Sequence, residues 1–356
     1  MVWPTKAPKN IIIRMPNWLG DLVMATPLLV DIRKYYSNSR ITAMCQSNVA
    51  PLLEKDKNID EILSFKKPNG WMHGQHRDII NPLRYGNFDL GILTTNSFSS
   101  AWWFWLGNVK NRIGYSSNLR RPLLNNAVSF PSDKDLQHQV LIYKMLLVPL
   151  GIPASDTPLN LIVDRSELES AENTLKKHDA IPGKHTIVGI NPGAAFGSAK
   201  CWLPERFAHV TKRLLENPNV RIVYFGDHNG VPLVNEICKD MPKQVINLAG
   251  KTNIRELMAL IAKCSVMLSN DSGPMHIAAA LKTPLVALFG STCDKRTGPY
   301  QHGTVIHKHT SCSPCYQRTC PIDFRCMTRI EVDEVCDKIL NEIKKDRRLD
   351  NKFQIL

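Results

Sequence analysis

Three short stretches carry side chains placed for chemistry: Gly20-Asp21, Lys200 at the end of a small-residue loop, and Ser269-Asn270-Asp271-Ser272-Gly273-Pro274-Met275-His276. The last follows an apolar run, Val266-Met267-Leu268, and opens an alanine-rich segment over 277–281, which predicts a strand running into a helix. A helix starting at Ser272 or Gly273 aims unpaired backbone N–H groups and the positive end of its dipole at an anion, so the stretch reads as a phosphate seat. A carboxylate beside a phosphate repels it. Asp271 therefore reads as a partner for sugar hydroxyls or for Lys200, with a plain helix N-cap at Asp271 or Ser272 as the alternative. Asp21 directly follows Gly20, where the missing side chain admits a substrate close to the backbone. A carboxylate there can take the proton from a sugar hydroxyl as that oxygen becomes a nucleophile, or it can cap a helix. Lys200 can neutralise the diphosphate that a departing sugar leaves behind, or it can be an ordinary surface lysine.

These side chains need strands that end, and helices that begin, at one edge of a sheet. Residues 10–15 read as a strand, 16–21 as a loop and 22–36 as a helix; residues 186–191, 192–203 and 204–216 repeat that grammar. Further strands are predicted at 41–45, 61–65, 89–93 and 112–115, then at 221–225, 245–248, 266–268 and 285–289. Helices are predicted at 231–239, 254–264 and 275–281. Pro149, Pro153 and Pro158 mark a hinge. The expected fold is α/β, with two Rossmann-like doubly wound domains facing across a cleft: 1–165, 166–330, and a C-terminal helix in 331–356 that packs back on the N-terminal domain or on the other one. The loop after residue 191 has neither Gly-x-Gly-x-x-Gly nor a Gly-Lys-Ser/Thr ending, which argues against a dinucleotide dehydrogenase and a P-loop NTPase.

The 356 residues exceed one comfortable core, and 43% hydrophobic with 22% charged residues is ordinary for a globular protein. No apolar run approaches the ~20 residues that span a bilayer, and residues 1–6 lack the apolar stretch of a secretory leader, so a cytoplasmic location is expected. Ten cysteines spread over this length read as reduced thiols rather than a disulfide framework. The formal net charge is +13, and residues 1–150 hold the denser excess, 18 Lys and Arg against 10 Asp and Glu. An anionic ligand or an anionic membrane surface accounts for such a field, as does plain solubility. Nucleic acid is not expected as a partner, because no zinc-finger, RNA-binding or basic-block motif is present.

Taken together, Pro16-Asn17-Trp18-Leu19-Gly20-Asp21, Asn191-Pro192-Gly193 with Lys200-Cys201-Trp202, and the 269–276 stretch resemble glycosyltransferase family 9, nearest to its ADP-heptose:lipopolysaccharide heptosyltransferase branch of the second-heptose type. The likeness runs in order over almost the whole chain. It implies a GT-B fold and an inverting, metal-independent and cofactor-free transfer of heptose from ADP-L-glycero-D-manno-heptose to the first heptose of the lipopolysaccharide inner core. A first-heptose acceptor, another family 9 transfer, or a sugar-nucleotide epimerase on the same scaffold are the alternatives. Carried over by position, the resemblance makes Asp21 the base and Lys200 the clamp on the ADP phosphates. Asp271, Ser272 and Gly273 would hold the donor, with His276 behind them and Ser198 adding a phosphate contact. Asp227 would take ribose hydroxyls, or act as a cap. Asn17, Arg120 and Arg121 would face the acceptor, a phosphorylated inner-core glycolipid reached by peripheral contact with the inner membrane; arginine's fork suits phosphate and carboxylate.

Two further features stand apart. Ala101-Trp102-Trp103-Phe104-Trp105-Leu106 is either core or an interfacial contact, being too short to span a membrane. Cys312, Cys315, Cys320 and Cys326 place four thiols in fifteen residues; the first pair has metal-ligand spacing, but the later intervals depart from the usual two-pair pattern. Reduced thiols, a structural metal site and disulfides all stay open for them.

Overall fold

Apolar strands buried on both faces decide the architecture. The computed structural model describes residues 6–68 and 73–353; the first five residues, read above for a leader, lie outside them. The chain divides into two units, Met1–Ile162 and Val163–Leu356.

In the first unit, β1 (Asn10–Arg14), α1 (Leu19–Tyr35), β2 (Arg40–Gln46), β3 (Glu61–Phe65), α2 (His73–Tyr85), β4 (Leu90–Leu93), α3 (Phe98–Leu106), β5 (Asn111–Tyr115), β6 (Asn126–Val128) and α4 (Gln139–Met145) follow in order. The sheet is parallel with order β3-β2-β1-β4-β5-β6. All of β4 and all of β1 after Asn10 are buried, as expected of a parallel sheet covered by helices. α1 contains Pro27, which has no N–H to give the Val23 carbonyl. The Thr26 hydroxyl donates to that carbonyl instead, at 2.7 Å, and the helix continues. The aromatic run lies in α3, where Ala101, Trp103 and Phe104 are buried in the core with Ile12 and Leu93, while Trp105 is exposed.

The second unit comprises α5 (Arg165–Lys176), β7 (Thr186–Asn191), α6 (Pro204–Leu214), β8 (Val220–Tyr224), α7 (Val231–Cys238), β9 (Val245–Asn247), α8 (Ile254–Ala262), β10 (Val266–Asn270), α9 (Gly273–Ala280), β11 (Leu285–Phe289), α10 (Asp294–Thr297), β12 (Thr304–His307), α11 (Arg325–Thr328) and α12 (Val332–Phe353). Its parallel sheet has the order β12-β11-β10-β7-β8-β9, the same winding as the first. α12 packs on α6 and on β10, β11 and β12 of its own unit. Val335, Cys336 and Ile339 are buried there with Val210 and Leu288. The two parallel α/β units realise the expected fold class.

Three local outcomes differ from the sequence reading. The edge strands β6 and β12 were not anticipated, because neither carries a fully buried apolar run. The first helix starts at Leu19 rather than at residue 22, so Asp21 lies in its first turn instead of in the preceding loop. The Leu22 N–H already bonds the Trp18 carbonyl at 2.9 Å, and a carboxylate in a first turn is favoured by the helix dipole.

Candidate active site

In each sheet the winding reverses between neighbouring strands, β1 and β4 in the first and β7 and β10 in the second. Crevices outside the carboxyl ends of such strands are where open α/β sheets bind ligands. The residues singled out above occur in the segments that leave those ends.

In the second unit, β10 ends at Asn270 and α9 begins at Gly273, with Ser272 in the N-cap position and Pro274 in the first turn, where a missing N–H costs nothing. The Ser272 side chain makes no cap bond to α9. Its hydroxyl instead meets Asn191 Nδ2 at 3.1 Å and Ser269 Oγ at 3.0 Å. The leading N–H groups of an eight-residue helix are thereby left without a side-chain cap, which is the arrangement an anion completes.

Asp271 is 5% exposed and its Oδ2 lies 2.5 Å from Lys200 Nζ, while the Thr292 hydroxyl donates to the same oxygen at 2.6 Å. The lysine foreseen as a partner for Asp271 is therefore in contact with it. The pair is nearly neutral as a whole, so attraction for an anion here has to come from the α9 terminus and from neighbouring cations. One of those is Arg318: its guanidinium and the Lys200 ammonium both lie over the Phe196 ring, 5.5 and 5.0 Å from its centroid.

The loop that carries Lys200 is held from three sides. Asn270 Oδ1 accepts from the Trp202 N–H at 3.1 Å, and Asn270 Nδ2 donates to the Pro192 carbonyl at 2.6 Å. The Trp202 ring is buried and donates through Nε1 to the Ile330 carbonyl at 3.2 Å. The Ala199 N–H bonds the Arg318 carbonyl at 3.0 Å. Gly197, immediately before the turn Ser198–Lys200, has φ +154°, and a Cβ there would strike the Arg318 backbone, so only glycine fits.

The other donor-side candidates have separate surroundings. Ser198 is exposed and His276 is buried within α9. Asp227, exposed after β8, accepts from the Gly230 N–H at 2.8 Å and thus serves as a cap. Thr292, Asn191, Asn270 and Arg318 were not assigned roles from sequence. The Gly290-Ser291-Thr292 run after an apolar strand was the available signal for the first of them.

In the first unit, Asp21 is the third residue of α1 and partly exposed, next to the buried Gly20 and close after the exposed Trp18. The N-cap position belongs to Trp18, two residues before Gly20, so Asp21 is a first-turn residue rather than the N-cap. Asn17 is exposed and its Oδ1 accepts from Arg14 Nη2 at 2.5 Å. Arg14 itself is buried, also donates to the Met15 carbonyl and lies over Phe65; burial lowers its pKa to about 10. The expected pair of acceptor-facing arginines divides. Arg121 is exposed, whereas Arg120 has no exposed surface and donates to the carbonyls of Tyr115 (2.9 Å) and Thr95 and to Asn96 Oδ1 (3.3 Å). Burial lowers the Arg120 pKa to about 10 as well, and its buried fork joins the loops that follow β4 and β5.

The four clustered cysteines all line one cavity of about 180 Å³, together with Ala199, Ser291 and Arg325. Burial, followed by the nearness of Cys312, Cys320 and Cys315, pushes the Cys326 thiol up. Among the described residues no three of the thiols bring their sulfurs within 4.8 Å of one another. All four are free thiols.

Comparison with known proteins adds to this geometry. The sequence profile of glycosyltransferase family 9 (heptosyltransferase) matches residues 76–324. The lipooligosaccharide heptosyltransferase 2 of Campylobacter jejuni is 31% identical over 343 residues, covering 94% of this chain and 98% of that protein. The protein of the same name from Haemophilus influenzae is 30% identical over 307 residues, 83% of this chain and 88% of its own. Among solved structures, the ADP-heptose LPS heptosyltransferase II of Escherichia coli matches with a TM-score of 0.79 at 25% identity, covering 95% of this chain and 99% of that one.

Proposed function

The chain belongs to glycosyltransferase family 9 and is a glycosyltransferase, and from that footing we propose that it transfers heptose from ADP-L-glycero-D-manno-heptose to the first heptose of the lipopolysaccharide inner core, in one inverting displacement that needs no metal. Relatives named for lipopolysaccharide or lipooligosaccharide heptose transfer support the coarse activity. The observation that carries the donor half is the anion seat: the α9 terminus without a side-chain cap, beside an ammonium fixed by Asp271.

In this reading Asp21 draws the proton from an acceptor hydroxyl while that oxygen attacks the anomeric carbon of the donor. The anomeric carbon–oxygen bond to ADP breaks in the same step, so the configuration inverts. Lys200 and the leading N–H groups of α9 stabilise the charge that grows on the departing diphosphate, and Ser198, Ser272, Gly273 and Arg318 line its path. An ammonium has three donors; Asp271 holds one direction and leaves the others for phosphate oxygens. His276 and Asp227 support the donor side as a buried neighbour and as a candidate for the ribose. Asn17 and Arg121 meet the phosphorylated acceptor, and Arg120 shapes the loop that presents Arg121. The enzyme works in the cytoplasm, in peripheral contact with the inner membrane where its glycolipid acceptor lies.

The test is ADP release from ADP-heptose with truncated core acceptors carrying no heptose or one heptose. Release with the one-heptose acceptor alone is expected. Release with the heptose-free acceptor alone would move the chain to first-heptose transfer, and consumption of the donor without any acceptor would favour an epimerase.

A further inference from the structure

Beyond the anion seat, the carboxyl ends of β11 and β12 bring together three side chains with metal-binding atoms. They are Asp294, the first residue of α10, His307, the last of β12, and His309; one ligand atom from each lies within 4.8 Å of the other two. His307 Nδ1 is 2.9 Å from Asp294 Oδ1, and His309 Nε2 is 3.9 Å from Asp294 Oδ2. We propose that these three hold a divalent first-row transition ion, zinc in the first instance, as a clamp on the loop behind the anion seat.

The hydrogen bonds around His307 point to a positive charge at this spot. The Ser313 hydroxyl donates its proton to the Gly290 carbonyl at 2.5 Å, so it accepts from His307 Nε2 at 2.9 Å. The other ring nitrogen, Nδ1, then turns its lone pair on the Asp294 carboxylate, and two lone pairs at that distance repel unless a cation lies between them. A proton on Nδ1 would satisfy His307 and Asp294 but would give His309 no part. His309 is nevertheless held with its ring centroid 4.0 Å from that of His307 and with φ at +42°, a conformation uncommon for a residue other than glycine. An ion uses all three groups.

The spacing and the chemistry agree. Two ligand bonds of about 2.1 Å meeting at a tetrahedral angle separate their atoms by about 3.4 Å, between the observed 2.9 Å of His307–Asp294 and 3.9 Å of His309–Asp294. Two imidazoles with one carboxylate suit zinc or a neighbouring transition ion and not the all-oxygen preference of magnesium or calcium. Ser313 on the far nitrogen of His307 fixes the ring, as outer-shell partners of metal-bound histidines do. His307 has a side chain only 2% exposed, whereas His309 is 62% exposed, so the site opens to solvent on one side. The consequence reaches the anion seat: the loop from Gly290 to Asp294 also carries Thr292, which bonds Asp271. An ion at this position ties the end of β12 to that loop without touching the reacting atoms.

The experiment uses the full-length chain stripped of metal and titrated with zinc against a chromogenic chelator, with cobalt(II) as a spectroscopic substitute. The expected result is one tight equivalent of zinc, at least on the order of tenfold weaker in His309→Ala. The cobalt spectrum should lack a thiolate charge-transfer band, and the double variant Cys312→Ser, Cys315→Ser should bind as the parent does. His309 is exposed, so equal melting of H309A and the parent without zinc verifies that the variant is folded. Failure to retain zinc, zinc retention unchanged in H309A, or a thiolate band that disappears in the cysteine variant would each overturn the proposal. None of these readouts depends on sugar transfer.

Discussion

Lys200 and Asp271 show how a carboxylate can sit at the proposed anion seat. With 14% and 5% of their side chains exposed, the two are buried together, and removing one leaves the other charged in a poor solvent. Breaking such a pair costs about 3–5 kcal/mol, whereas replacing it as a unit costs far less. Lys200→Ala should therefore destabilise the second unit by roughly 3 kcal/mol and abolish measurable ADP-heptose binding. Adding Asp271→Asn should return most of the stability and none of the transfer. Chemical denaturation with donor titration on the two variants checks this, and a K200A protein as stable as the parent would refute the coupling. The lysine was legible because a small-residue loop after an apolar strand announces it. The burial of Arg120 was not: the residue type declares a charge, but besides the nearby Tyr115 carbonyl the groups that absorb it, the Thr95 carbonyl and Asn96 Oδ1, come from a chain segment brought close only by folding.

At the scale of elements, the strands buried on both faces were legible as apolar runs, and their order follows from the winding of parallel units. Strands lying at a sheet edge carry less of that signal, and Asn126–Val128 has no fully buried residue at all. The start of α1 was misread because Trp18 occupies the cap position without a capping side chain. Asp89 illustrates how strand starts are joined. Its Oδ2 accepts from the N–H groups of Lys9 and Asn10, at 2.9 and 3.1 Å, and its Oδ1 pairs with Lys110. Burial pushes its pKa up, but Lys110 and the two N–H groups outweigh it and hold the carboxyl below its ordinary value. A lowered folded pKa means that the stabilisation is complete above the unfolded value of about 4 and is lost as pH falls through the folded one. Discounted for solvent screening, Asp89→Asn should thus cost about 1 kcal/mol near neutral pH, and the gap from the parent should narrow below pH ~4. Urea unfolding at several pH values measures it; a gap that stays constant into acid would show that the charge is not what Asp89 contributes.

Over the whole molecule, two sheets of identical winding carry the two halves of the proposed chemistry: the first unit holds Asp21 and the denser basic excess, and the second holds the proposed anion seat. Among the described residues no helix is long and apolar enough to cross a membrane, and Trp103 and Phe104 belong to the core, so the aromatic run supplies no spanning element. The two-unit plan was legible from the repeated strand, loop and helix grammar; the ligand atoms of Asp294, His307 and His309 were not, because they meet only once β11 and β12 lie side by side. In the proposed reaction Asp21 activates the acceptor and takes no part in holding the donor. Heptose transfer and ADP-heptose affinity, measured side by side for Asp21→Asn and the parent, test this assignment. Donor affinity within a few-fold of the parent and turnover lower by on the order of 10²–10⁴ are expected; turnover near the parent's level would remove Asp21 from the role of base.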